Sequence, residues 1–283
     1  MNPLTKRSAA GKVGNGITHL LLGAWALLAT VPLLWALISA FKDNRELFAN
    51  PWSLPDTWHV DNFARAWTKA SIGGFFLNTV IVVLGALALT MVLGSMTAYV
   101  LARFQFPGNR IIYYLFVAGM AFPVVLALVP LFFVARNLGL LGSYHGLILV
   151  YTAYALPFTV FFLTSFFRTL PTAVAEAAII DGCSQEAAFF RVMLPMAKPG
   201  LLSVAIFNFL GMWNQYLLPV ALNADRDKYV LSQGLANLAA QQGYEVDWSA
   251  LFAGLVIAAV PIMALYLVLQ RRVQAGLSVG LLK

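Results

Sequence analysis

The chain has 283 residues, 61% apolar and only 10% charged, against roughly 45–50% and 25% in soluble domains; this excludes a water-soluble globule. Eighteen basic and eleven acidic residues leave a net charge of +7, and the single cysteine excludes an internal disulfide framework or a cysteine-rich metal site. Six stretches longer than twenty residues contain no Asp, Glu, Lys or Arg: 13–41, 70–102, 111–135, 137–167, 199–224 and 248–270. At about 1.5 Å rise per residue, even the shortest crosses a hydrocarbon core of about 30 Å as a helix. The expectation is an all-α chain forming one membrane domain over 1–283, with six spans near 17–41, 75–100, 111–135, 147–167, 200–222 and 250–270. The first apolar run is too long for a cleavable signal peptide, and no small-residue cleavage site leading into a soluble domain follows it.

Basic residues in short flanks are retained on the cytoplasmic side. The amino-terminal segment (Lys6, Arg7, Lys12), the turn at 103–110, the loop at 168–198 and the tail together hold eleven basic and three acidic residues, whereas the alternate loops hold seven and eight. Both termini are therefore expected in the cytoplasm, and the net charge reports topology rather than a nucleic-acid footprint.

No Asp, Glu, Lys or Arg lies within any expected span, and the three histidines, His19, His59 and His145, fall at span edges or in loops. Proton-coupled pumps need intramembrane carboxylates or histidines, and voltage sensors need Arg, so uphill movement of a solute points to energy from another subunit. Sodium coupling at helices broken by Pro32, Pro123, Pro130, Pro157, Pro219 or Pro261 is the alternative, and these prolines otherwise read as packing kinks. No phosphate-binding Gly-x-x-x-x-Gly-Lys-Ser/Thr loop and no His-Glu-x-x-His occurs. The Gly-x-Ser-x-Gly at Gly276, Ser278 and Gly280 lacks the strand before it and the acid and histidine after it. The chain is expected to bind no cofactor or metal and to catalyse no reaction.

The 168–198 loop contains two short helix patterns. Pro171 and Thr172 open the first, Asp181 and Gly182 stop it, and Ser184 caps a second that should end before Pro195. Val174, Ala178, Ile179, Phe189, Phe190 and Val192 are expected to be exposed on this pair, a surface suited to lipid headgroups or a protein partner. In the fifth span, Asn208, Trp213, Asn214, Gln215 and Tyr216 combine aromatic faces with neutral hydrogen-bonding groups, which suits an uncharged polyhydroxylated solute; interhelical hydrogen bonding is the competing role.

Glu176-Ala177-Ala178, Asp181-Gly182, Phe190 and Leu194-Pro195 with Pro199 resemble the cytoplasmic EAA loop of ATP-binding-cassette importer permeases. Pro32, Trp35 to Lys42, Asn78-Thr79, Ala98-Tyr99, Arg103-Phe104, Phe106-Pro107-Gly108, Leu170-Pro171, Trp213-Asn214, Pro219, Gln270-Arg271, Gly276 and Gly280 extend the likeness to the six-span, maltose-type carbohydrate branch over nearly the whole chain. The resemblance implies that the loop is a coupling helix. Glu176, Ala177, Ala178, Asp181, Gly182, Phe190, Leu194 and Pro195 would dock on a cytoplasmic ATPase that holds ATP and Mg, and Arg271, Gly276 and Gly280 would form a tail contact. It also implies a homologous sister permease, an extracytoplasmic solute-binding protein and a bacterial or archaeal cytoplasmic membrane, with a sugar or oligosaccharide as cargo. Cys183 and the Leu281-Leu282-Lys283 ending depart from that pattern. A permease for another polar solute such as glycerol phosphate, or a secondary transporter without an ATPase, remains the alternative.

Overall fold

The computed structural model describes residues 9–240 and 247–280, with side chains described over 17–240 and 247–268. Every regular element among them is helical, as expected where no water is present to satisfy an open strand edge. The chain divides into two compact units, residues 1–70 with 241–257 and residues 71–240 with 258–283.

The first unit contains α1 (Ala9–Ser39), two short helices, α2 (Asn44–Ala49) and α3 (Asp61–Thr68), and the opening of α14 (Trp248–Gly280). Asp43 caps α2 by accepting from the Glu46 N–H at 2.7 Å. Lys42 is fully buried, and its Nζ donates to Asn50 O (2.8 Å), Ser53 Oγ (3.1 Å) and Pro51 O (3.4 Å). The buried Asn62 donates from Nδ2 to Ala40 O and Lys42 O at 2.9 and 2.8 Å. A buried polar group needs hydrogen-bond partners, and the turns after α1 supply them. The composition reading did not find α2 or α3, because both are short and polar.

The second unit is built on α4 (Ile72–Arg103) and α7 (Tyr144–Thr169), which make the most extensive helix contact of the chain. Small residues allow the approach: a Cβ on Gly94 would lie 2.5 Å from Thr159 Cγ2. Around them lie α5 (Asn109–Ala121), α6 (Val124–Asn137), α8 (Thr172–Ile180), α9 (Gln185–Ala188), a π-helical segment (Phe189–Met193), α10 (Leu194–Met196), α11 (Lys198–Trp213), α12 (Leu217–Leu222) and α13 (Leu231–Ala240).

Four helices, Ile17–Ser39, Ile72–Arg103, Tyr144–Thr169 and Trp248–Val268, are long and apolar enough to cross a membrane alone. Two bent pairs raise the number to six if each is one span: α5 with α6 at 107°, and Gln185–Met196 with α11 at 75°. The expected third span is therefore not a single helix, and neither is the expected fifth, whose break lies after the second bent pair. The third breaks at Phe122, immediately before Pro123, which stands at the N-cap of α6; proline disfavours the helical region for the residue that precedes it. The expected 200–222 helix stops at Trp213, resumes at Leu217 and has Pro219 in its new first turn, where the missing N–H is not needed. Pro32, Pro130, Pro157 and Pro261 lie inside continuing helices.

Candidate functional site

The 168–198 loop begins as expected. Helix α8 starts at Thr172 after Pro171 and ends on a Schellman turn, in which Cys183 N–H donates to Ala178 O and Gly182 N–H to Ile179 O, both at 3.0 Å. Gly182 adopts φ +90°, a conformation costly for any side-chain-bearing residue. Ser184 Oγ then accepts from the Ala187 N–H at 3.2 Å, and α9 starts there. Its continuation departs from expectation. The helix does not stop before Pro195 but runs through the π-helical turn into α10, with Pro195 in that segment's first turn.

The faces of the two helices also differ from expectation. Ala178 and Phe189, read as exposed, are 7% and 5% exposed. Phe189 and Met193 sit in a core with Tyr99, Leu163, Phe167, Ala197 and Val204, and Leu194 packs against it half-buried. Ring centroids of Phe189 lie 4.9 Å from Tyr99 and 6.4 Å from Phe167. Phe189 and Met193, four residues apart, share one helical face, and it packs against the ends of α4 and α7. Arg103 reinforces the seat by donating from Nη2 to Leu170 O at 2.7 Å. The exposed side of the loop is formed by Glu176, Ala177, Ile180, Asp181, Gly182, Phe190 and Pro195. Ile180, which the motif reading missed, is 84% exposed at the end of α8. Its place immediately before the Asp181-Gly182 stop is the signal that would have found it.

A second feature is a cleft of about 260 Å³ between α5, α7, α11 and the break before α12. Asn208 and Gln215 line it, together with Tyr151, Tyr154, Gly119 and Phe207. Asn208 is fixed by donating from Nδ2 to Thr159 Oγ1 at 2.7 Å. The Gln215 side-chain carbonyl accepts from Tyr216 N–H at 3.1 Å. Three expected residues lie outside the lining. Trp213 is buried, donates from its indole to Ala258 O at 3.1 Å and stacks on Phe209 at 5.4 Å; Asn214 turns its amide back to Leu210 O; Tyr216 is exposed. Tyr151, Tyr154, Ala155 and Phe158 share a face of α7 at i, i+3, i+4 and i+7, the spacing that would have revealed them. None of the cleft's lining residues is ionisable as acid or base at neutral pH.

Within the second unit, the loop between α12 and α13 is tied to α4 by polar side chains. Asn78 donates to Asp227 O and Tyr229 O at 2.8 and 2.9 Å and accepts from Tyr144 Oη at 2.8 Å. Asp225 and Lys228 pair at 2.8 Å. The hydrogen bond from Lys228 holds the Asp225 carboxyl below the usual carboxylate range, and the same bond raises the Lys228 ammonium. Arg271, Gly276 and Gly280 fall on the far end of α14, outside the residues whose side chains are described.

A family model, the binding-protein-dependent transport system inner membrane component, matches residues 90–279. The diacetylchitobiose uptake system permease protein of Streptomyces coelicolor is 58% identical over 264 residues, 93% of this chain and 87% of that protein. The trehalose transport system permease protein of Mycobacterium tuberculosis is 32% identical, covering 92% of this chain and 97% of that protein. Among solved structures, a chain of a bacterial ABC transporter involved in the import of the acidic polysaccharide alginate superposes with a TM-score of 0.84 at 19% identity, covering 93% of this chain and 98% of that one; this likeness establishes the fold.

Proposed function

The chain belongs to the binding-protein-dependent transport system inner membrane component family, and from that premise we propose that it carries a sugar or oligosaccharide inward as a permease subunit of an ATP-binding-cassette importer. It is a multi-pass membrane transport component, not an enzyme. The observation that carries the cargo assignment is the 58% identity to a diacetylchitobiose permease across nearly the whole chain. A neutral cleft with two tyrosines and two amides supports it, since sugar rings pack on aromatic faces and their hydroxyls need uncharged donors and acceptors.

The bias of the basic residues supports a topology with both termini and the 168–198 loop in the cytoplasm. There the exposed side of the loop meets an ATPase subunit, which holds ATP and Mg. Glu176, Ala177, Asp181, Gly182, Phe190 and Pro195 form the docking side together with Ile180, while Ala178 and Leu194 shape it from beneath; Arg271, Gly276 and Gly280 add a tail contact. A sister permease completes the pathway, and a solute-binding protein delivers cargo outside. ATP-driven closure of the ATPase pair moves the loop, and the seat of Phe189 and Met193 on Tyr99 and Phe167 passes that movement to α4 and α7. Such biasing requires the loop to bind the open and closed ATPase states with different free energy.

Deleting this chain from its host should abolish uptake of radiolabelled N,N′-diacetylchitobiose, and the wild-type chain should restore it. Undiminished uptake of chitobiose-type and other disaccharides in the deletion strain would overturn the cargo assignment.

A further inference from the structure

The first unit carries an aromatic collar that the transport reading does not use. Trp52 is 76% exposed, Phe48 69%, Leu54 67% and Trp58 58%. These are not loose side chains. Trp52 lies 5.8 Å from Trp35, which is fixed in turn by donating its indole N–H to Pro51 O at 2.8 Å and by an edge contact with Phe252 at 5.2 Å. Phe48 meets Trp248 at 6.1 Å, and Trp58 meets Phe41 at 5.3 Å. The exposed rings are thus seated on residues at the ends of α1 and α14.

Depth follows from α1. Its apolar segment Ile17–Ser39 has 23 residues, which at about 1.5 Å each spans the roughly 30 Å hydrocarbon core with little to spare. Trp35 stands in the last turns of that segment, so rings in contact with it share the level where hydrocarbon gives way to headgroups. The exposed apolar surface of α1 runs continuously into the collar through Leu33, Leu34 and Leu37.

Part of the charge in the same region is withdrawn. Lys42 is buried on loop carbonyls, Glu46 Oε1 accepts from Asp56 N–H at 2.6 Å, and Arg65 is bound to Asp61 and to Asp247. The exposed rings are indole-rich and stand beside the exposed charges Asp43, Arg45 and Asp56, a mixture found at membrane interfaces, where one end of the ring wants hydrocarbon and the other wants water. A soluble partner that leaves after each transport cycle would return these rings to water each time, at the cost attached to a large apolar patch.

We propose that the segment Asn44–Thr68 is an interfacial anchor, with Trp52, Trp58 and Phe48 embedded at the headgroup boundary of the outer leaflet, and that it fixes the outer ends of α1 and α14 at that depth. Buried Lys42 is the clamp that holds the turn carrying Trp52 in this pose.

The test uses the whole transporter reconstituted in vesicles of phosphatidylethanolamine and phosphatidylglycerol, with a nitroxide placed by Trp52→Cys or Trp58→Cys in a Cys183→Ser background. Oxygen should accelerate relaxation of both labels more than a water-soluble nickel chelate does. Preferential acceleration by the chelate would show a water-facing collar, and protection from both reagents would show a covering protein; either result overturns the proposal. Should the cysteine variants fail to assemble, the tryptophan emission of the unaltered complex provides the second reading. Lipids brominated near the headgroup should quench it by a margin that Trp52→Phe/Trp58→Phe loses, and equal quenching of the two proteins would also overturn the anchor.

Discussion

The 168–198 loop is fastened to the spans by rings and methyl groups, whereas the turns at 42–71 and 223–230 are fastened by buried polar side chains donating to backbone carbonyls. Phe189 and Met193 drop into an apolar seat; Lys42, Asn62 and Asn78 each reach two or more loop carbonyls. Apolar contact has little directional preference and survives sliding or tilting, while hydrogen bonds weaken steeply once their angles are lost. A loop that must move with a partner is served by the first, and turns that must hold their shape by the second.

Removing the apolar seat should have the largest effect. Phe189→Ala deletes a ring that is almost wholly buried, a change that costs about 3–5 kcal/mol in packed cores. The variant complex should insert in the membrane but show faster hydrogen exchange over 185–196 and loss of ATP-driven uptake, with Phe189→Leu retaining most of both. Normal uptake in Phe189→Ala would refute transmission through this ring. Removing a polar clamp should be milder and local. Lys42→Met strips a charged donor from Asn50 O and Ser53 Oγ, worth about 1.5–3 kcal/mol, so exchange should rise over 44–56 with uptake reduced less than by Phe189→Ala. Equal loss of uptake in the two variants would erase the distinction between the regions.

Gly182 tests the turn rather than the seat. No atom lies within 4 Å of a Cβ built there, so a substitution pays chiefly in backbone conformation, about 1–2 kcal/mol for a left-handed L-residue. Gly182→Leu should lower uptake severalfold while ATP hydrolysis persists, and Gly182→Asn should do less because Asn tolerates positive φ better. Unchanged uptake in Gly182→Leu would count against docking through this turn.

The helical stop at Asp181-Gly182 and the Ser184 cap were legible because capping chemistry is local. Four of the six apolar windows are single helices for a similar reason, since the absence of charge over twenty residues leaves little else to form in lipid. The breaks at Phe122 and at Asn214–Tyr216 were not legible, because counting charges measures how far a window extends and is blind to a bend within it. The burial of Ala178 and Phe189 was hidden because it depends on what packs over them: α8 lies against α9 and the π-helical segment, and Phe189 against Tyr99 and Phe167, contacts that no local pattern states. Among the five polar and aromatic residues of the fifth span, the cleft takes Asn208 and Gln215 and leaves Trp213 outside its lining, because the indole N–H finds Ala258 O on the last helix, a partner forty-five residues away.

The smallest expected effect concerns the Asp225–Lys228 pair, a clamp of the polar kind that stands in water. The Lys228 hydrogen bond lowers the Asp225 pKa, so that group's contribution is complete above the ordinary carboxylate range and is lost as pH falls through the lowered value. The Lys228 pKa is raised by the same bond, so its contribution is complete below the ordinary lysine range and is lost as pH rises through the raised value. Protection of the 223–230 turn, measured by hydrogen exchange corrected for intrinsic chemistry, should therefore be flat around neutrality and fall at both extremes. Because exposed pairs are screened and contribute little, the fall should be slight, and Lys228→Met should flatten the profile while leaving the Asn78 bonds to hold the turn. A Lys228→Met profile identical to that of the unaltered protein would mean that the neutral clamp alone carries this turn. The contrast between the two regions would then lie between packing and neutral hydrogen bonds, with ion pairing playing no part in it.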